Sequence, residues 1–189
     1  MKKIVLSSLG LCMLIYSLSA QTESQMKAWT DYMTPGEIHK MIASWDGTWE
    51  GDAKMWMAPG QEPTTTKTTS VNKMILGGRY QESRVSGNFN GMPLEGISIV
   101  GYDNAKKKLI NTWIDNFGTG LMYMEGTWDP ATKTMEFKGK GLDPMIGKEI
   151  PMRQTIKIVD DKTQLMEMYS TPEGGTEMKS MEITMKRKS

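Results

Sequence analysis

Thiols, imidazoles and phenyl rings are nearly missing from this chain, with one Cys, one His and three Phe among 189 residues. The single cysteine, Cys12, lies inside the apolar run from Ile4 to Leu18. Disulfides, thiolate nucleophiles and cysteine-based metal sites are therefore excluded from everything that follows it. The single histidine, His39, leaves the chain almost without the usual general base of nucleophilic catalysis. A dominant charge is missing too, since 23 basic side chains offset 22 acidic ones. No basic stripe exists to hold a phosphate backbone, so nucleic acid is not an expected partner. Beyond residue 20 no apolar run is long enough for a transmembrane helix.

What is present begins with an address. Lys2 and Lys3 precede the apolar run, and Leu18-Ser19-Ala20 offers small residues to a signal peptidase. Residues 1–20 are thus expected to be an export signal, cut before Gln21, and the product to be periplasmic or secreted. Leu11, where a lipoprotein needs Gly or Ala, precedes Cys12 and argues against lipidation. Residues 21–33 read as a flexible polar leader, and residues 34–189 as one domain. A chain of that length buries roughly 70% of its unfolded surface.

Thr34-Pro35-Gly36-Glu37 carries a helix start, with Thr at the N-cap and Pro at the first helical position. Ile38, Met41, Ile42 and Trp45 follow at helical spacing, which predicts one amphipathic helix over 35–44 with His39 on its wet side. From Asp46 the period changes to two. Trp49, Gly51, Ala53, Met55 and Met57 alternate with polar residues, and similar stretches recur to the end. Strands are expected near 47–57, 65–76, 79–87, 94–102, 108–115, 120–128, 134–140, 149–159, 164–171 and 176–187, separated by Gly, Pro, Asp and Asn turns. The fold class is all-β, a ten-stranded antiparallel up-and-down barrel with one short N-terminal helix, because a meander of this kind removes its open edges by closing.

Closure with an even strand number sets the first strand beside the last. Trp49 then neighbours Arg187, which shares the apolar parity of Met181, Ile183 and Met185. A guanidinium stacked there on an indole contributes roughly 0.5–2 kcal/mol. The helix enters at this end as a floor. Loops 58–63, 87–93, 116–119, 142–148 and 172–175 fall at the opposite rim, the expected mouth.

These residues also carry a resemblance. Gly47-Thr48-Trp49 with the closing Arg187 looks like the lipocalin and calycin signature. More specifically, Gly47-Thr48-Trp49-Glu50-Gly51, Leu76-Gly77-Gly78-Arg79-Tyr80, Gly101-Tyr102-Asp103, Thr112-Trp113-Ile114-Asp115, Gly126-Thr127-Trp128-Asp129 and Asp143-Pro144-Met145-Ile146-Gly147-Lys148 resemble the bacterial domain-of-unknown-function family numbered 1579. The resemblance implies a calycin-like barrel and brings no activity with it.

No catalytic constellation is legible. Haem held by an inward histidine on a late strand, as in nitrobindin-like calycins, has no such residue here, and no cofactor is expected. The 79–86 strand has polar residues on both faces, so Arg84 or Arg79 is expected to reach the lumen as a polar anchor, with Tyr80 nearby. Methionine is abundant, 19 residues in all. Met55-Trp56-Met57, Met122-Tyr123-Met124 and Met166-Glu167-Met168 each set two thioethers on one strand face, which fits an adaptable apolar lining better than a copper(I) site. Met55, Met57, Met122, Met124 and Trp113 are the expected apolar lining. The leading reading is a binding module for a small, partly apolar molecule. One alternative is a carboxylate enzyme at the mouth around Asp115 and Asp143, with Glu82, Glu125 and Glu167 as further carboxylates within strands. Another is a filled barrel that meets a partner through Phe89, Met92 and Phe117 at the rim.

Overall fold

The structure, a computed structural model, describes residues 22–188. The export signal expected over 1–20 lies outside the described residues. The chain divides into two compact units at the junction of Thr34 and Pro35. In the first, residues 22–33 form a helix, α1, an element not drawn from the sequence. The second holds α2 (Glu37–Ala43) and ten strands: β1 (Gly47–Met55), β2 (Thr64–Ile75), β3 (Tyr80–Phe89), β4 (Met92–Asp103), β5 (Lys108–Asp115), β6 (Met122–Asp129), β7 (Thr134–Asp143), β8 (Lys148–Asp160), β9 (Thr163–Ser170) and β10 (Met178–Arg187).

Each strand pairs antiparallel with its sequence neighbours, and β1 pairs with β10 to close the barrel. The fold is the one that the alternating pattern predicts, and strand ends differ from expectation by a few residues only. Turn chemistry sets the hairpins. Asp103 Oδ1 accepts from the N–H groups of Ala105 and Lys106 at 2.8 and 3.0 Å, and Asp129 Oδ1 from Ala131 at 2.9 Å. Asp143 and Asp160 open their turns in the same way.

Closure occurs as the parity argument requires. Trp49 and Arg187 are register partners, and the guanidinium lies 4.5 Å from the indole centroid. Arg187 also donates to the carbonyls of Asp46 and Ser44, tying the last strand to the turn that enters the first. Gly47, at φ 124°, makes room for this approach; a Cβ there would lie 3.1 Å from Arg187 Nη1.

The helix differs from expectation at its start. Its N-cap is Gly36, because Thr34 donates from both its N–H and Oγ1 to the Thr30 carbonyl and so ends α1. His39 is not on a wet face but 4% exposed. Glu37 and Lys40 take the exposed side of the first turn, and His39, one turn before the buried Ile42, faces Tyr102 of β4. The His39 ring folds back, accepts the Gly36 N–H at Nδ1 (3.0 Å) and meets Tyr102 edge-on at 5.9 Å.

The solid core occupies the floor end, beneath α2. Ile42 packs there with Trp45, Trp49, Leu109, Met124 and Phe137. A Cβ on Gly126 would fall 2.7 Å from the Phe137 ring, so the glycine lets that ring lie flat against β6. Above this core the barrel is hollow.

Candidate functional site

A cavity of about 410 Å³ runs from the core towards the mouth. Strand parity decides its lining, and the lining has two chemistries. Met55, Met166, Met168, Met181, Ile183 and Met185 form a thioether-rich wall on β1, β9 and β10. Thr66, Thr68, Ser70, Asn72, Ser83 and Ser98 form a hydroxyl and amide wall on β2, β3 and β4. Gly51 keeps the space between them open, since a Cβ there would meet Thr68 Oγ1 and Ile183 Cγ2 inside van der Waals contact. Among the described residues no lysine or arginine lines the cavity, and Asp115 is the one carboxylate that does.

Most of the buried polar groups are satisfied internally. Ser98 donates to Asn111 Oδ1 at 2.8 Å, and Asn111 Nδ2 donates to Gln154 Oε1 at 2.8 Å, a bond that bypasses β6 and β7 to join β5 with β8. Gln81 donates to the Ile42 carbonyl and to Asp46 Oδ1, both at 2.9 Å, fixing the helix floor to β3. Gln164 differs. Its Nε2 is buried and, among the described residues, is the one side-chain nitrogen or oxygen atom so placed without a hydrogen-bond partner.

The expected lining residues are sorted unevenly. Met55, Met122 and Trp113 line the cavity. Met124 points inward but is fully buried in the core beneath it. Met57 has the inward parity and falls beyond the end of β1, where the chain has left the sheet, so it is 73% exposed. The anchor role given to Arg84 or Arg79 does not survive the register. On β3 it is Gln81, Ser83 and Val85 that face the lumen, which turns Tyr80, Glu82 and Arg84 outward. Arg84 pairs there with Glu82 at 2.7 Å, and Arg79 donates to the Leu76 carbonyl in the turn before the strand. Polarity on both faces of this strand made the choice of face undecidable, but the prediction that one polar face enters the lumen holds for Ser83 and Gln81.

The carboxylates do not gather at the mouth. Asp115 lines the cavity, yet its oxygens accept from Trp113 Nε1 at 2.6 Å and from the N–H groups of Phe117 and Gly118 at 2.9 and 3.1 Å. Asp143 caps its own turn outside the lining. Glu125 and Glu167 stand on the outer surface, paired with Lys106 and Lys179. The barrel is not filled, and its rim carries Phe117, stacked at a tilt 6.1 Å from Phe89, together with an exposed Met92. The lumen-lining amides Gln81, Asn111, Gln154 and Gln164 were not singled out from the sequence. Their signal, amides at inward parity, was available once the register of each strand was fixed.

Among curated proteins, none matches this chain. Among solved structures, the crystal structure of Rv2717c from M. tuberculosis is similar to 82% of this chain and to 100% of its own length, with 13% sequence identity and a TM-score of 0.62. That likeness concerns the fold. The profile of the family described as "Protein of unknown function (DUF1579)" matches residues 34–187, which is the whole barrel with its helix floor, and the chain belongs to that family.

Proposed function

We propose that this protein is exported and binds one small, uncharged, largely apolar molecule inside its barrel. The observation that carries the reading is the hollow of about 410 Å³, walled by thioethers on one side and by hydroxyls and amides on the other. Volumes of about 300–1,000 Å³ with mostly apolar walls and a few placed polar groups suit small-molecule sites. Methionine walls adapt to irregular shapes because the thioether chain is flexible and polarizable. Lack of a basic side chain in the lining disfavours anions, whose burial without a partner is costly. Export is supported by Lys2-Lys3, the apolar run to Leu18 and the small residues at 19–20.

The test is titration with N-phenyl-1-naphthylamine, a neutral apolar fluorophore, against the wild type and Ser83→Trp. Ser83 lines the cavity from β3, so the indole occupies the lumen. Saturable fluorescence enhancement is expected in the wild type and its loss in Ser83→Trp, with both proteins melting cooperatively. Equal enhancement by the two would place the fluorophore outside the barrel and end the proposal.

A further inference from the structure

We infer that the deep end of the lumen recognises a neutral hydrogen-bond acceptor, a ketone- or ester-type carbonyl on an apolar body, through the side-chain amide of Gln164. This rests on the lumen binding proposed above and names its ligand class. Gln164 sits one residue into β9, at the floor end, in register with Ile158 of β8 and Met185 of β10. It is 4% exposed and lines the cavity.

The other deep amides are engaged in part or in full. Gln81 holds α2 and Asp46, and Asn111 donates to Gln154 Oε1. Among the described residues Gln164 Nε2 is the one fully buried side-chain nitrogen or oxygen left without a hydrogen-bond partner, on a side chain that lines the cavity from the apolar wall. A buried donor left unmade is more costly than a hydrogen bond is favourable, so a ligand that brings an acceptor to this point relieves a penalty as well as forming a bond. A site built around such a donor discriminates against the analogue that lacks the acceptor.

Charge decides between neutral and ionised acceptors. Arg187, at the floor end, is stacked on Trp49 and engaged with the carbonyls of Ser44 and Asp46, and it does not line the cavity. A carboxylate at Gln164 would therefore be buried without a counter-charge, whereas a carbonyl oxygen needs only the amide N–H. Met185 and Ile156 supply apolar contact for the remainder of the molecule.

The experiment displaces bound N-phenyl-1-naphthylamine with 2-decanone, n-decane and decanoate at pH 8, using the wild type, Gln164→Leu and Gln164→Glu. In the wild type 2-decanone should compete at about tenfold lower concentration than decane, and decanoate no better than decane. Gln164→Leu should still bind the fluorophore and should lose the ketone preference. Its melting temperature should equal or exceed that of the wild type, since an unsatisfied amide has been removed, which separates lost recognition from lost folding. Gln164→Glu, an acceptor in place of the donor, should bind the ketone more weakly than Gln164→Leu does. Equal displacement by ketone and alkane in the wild type would overturn the inference. So would decanoate as the tightest competitor, or a ketone preference that survives in Gln164→Leu. Each of these, seen with the fluorophore still bound, leaves lumen binding standing. A wild type that binds no fluorophore and none of the three probes refutes lumen binding, and the amide inference with it.

Discussion

Burial holds the His39 imidazole below its ordinary value of 6.5; a hydrogen bond to the Tyr102 backbone opposes the shift, and the charge of Arg79 adds to it. The geometry agrees, because Nδ1 accepts the Gly36 N–H and must be unprotonated to do so. In the unfolded chain the ring takes a proton near pH 6.5, while in the fold it resists until lower pH. Between those two values the unfolded state binds more protons, so stability falls as pH falls. The contribution is complete above about pH 6.5 and is lost on acidification through the depressed folded value. Replacement of His39 by Asn removes the titration and leaves the surface carboxylates unchanged. Thermal melts between pH 7 and pH 5 should therefore decline more steeply for the wild type than for His39→Asn. Parallel declines would show that the ring does not titrate against the fold. The expectation of a solvated His39 failed for a reason of the same scale: helical periodicity assigns faces to whole turns, and here one residue of the first turn bends back to serve as a cap.

Strands were the most legible elements, because a period of two needs only a few residues to declare itself. Trp49, Gly51 and Ala53 of β1 are buried, and Glu50, Asp52 and Lys54 are exposed, as alternation requires. The same rule gave no clean alternation for β3, where the inward set Gln81, Ser83 and Val85 is itself two-thirds polar and differs from Tyr80, Glu82 and Arg84 mainly in carrying no charge; the neighbours in register complete the choice of face. Trp113 depends on such a neighbour. A Cβ on Gly96 of β4 would lie 2.3 Å from the end of the Trp113 ring, so the missing side chain is what lets the indole lie inward and reach Asp115. In Gly96→Ala the ring must leave that position. The expected loss is about 1–3 kcal/mol, the usual cost of overpacking, and roughly 2–4 °C in melting temperature per kcal/mol for a domain of this size. Fluorophore binding should weaken with it. Gly101→Ala is the matched comparison, since its Cβ would strike Tyr80 on the outer face. That variant should lose stability while keeping the wild-type fluorophore affinity. Equal affinity loss in both would mean that Trp113 does not shape the lumen.

Closure is a property of the whole chain, and it was legible because strand count and parity together fix which ends meet. The hollow was not, since volume depends on how far each side chain reaches, and the Asn111–Gln154 bond joins residues 43 positions apart that no local pattern connects. The seam between β1 and β10 is the longest-range pairing in the barrel, and Arg187 reaches from it to Asp46 and Ser44, more than 140 residues earlier. Such contacts cost the most chain entropy to form and give little return until neighbouring strands are in place. They should therefore be absent from the folding transition state, and their loss should appear mainly as faster unfolding. Arg187→Ala removes the stack on Trp49 and two charge-assisted hydrogen bonds. The expected cost is about 2 kcal/mol, taken from typical cation–π and hydrogen-bond contributions. Arg187→Lys keeps the charge but not the planar fork that serves two carbonyls and an indole at once, so it should recover about half of that stability. Urea-dependent kinetics separate the outcomes. If the barrel closes last, the unfolding limb moves to faster rates in Arg187→Ala and the folding limb stays in place. A slowed folding limb instead would mean that the first and last strands meet early and that the meander is assembled around its own seam.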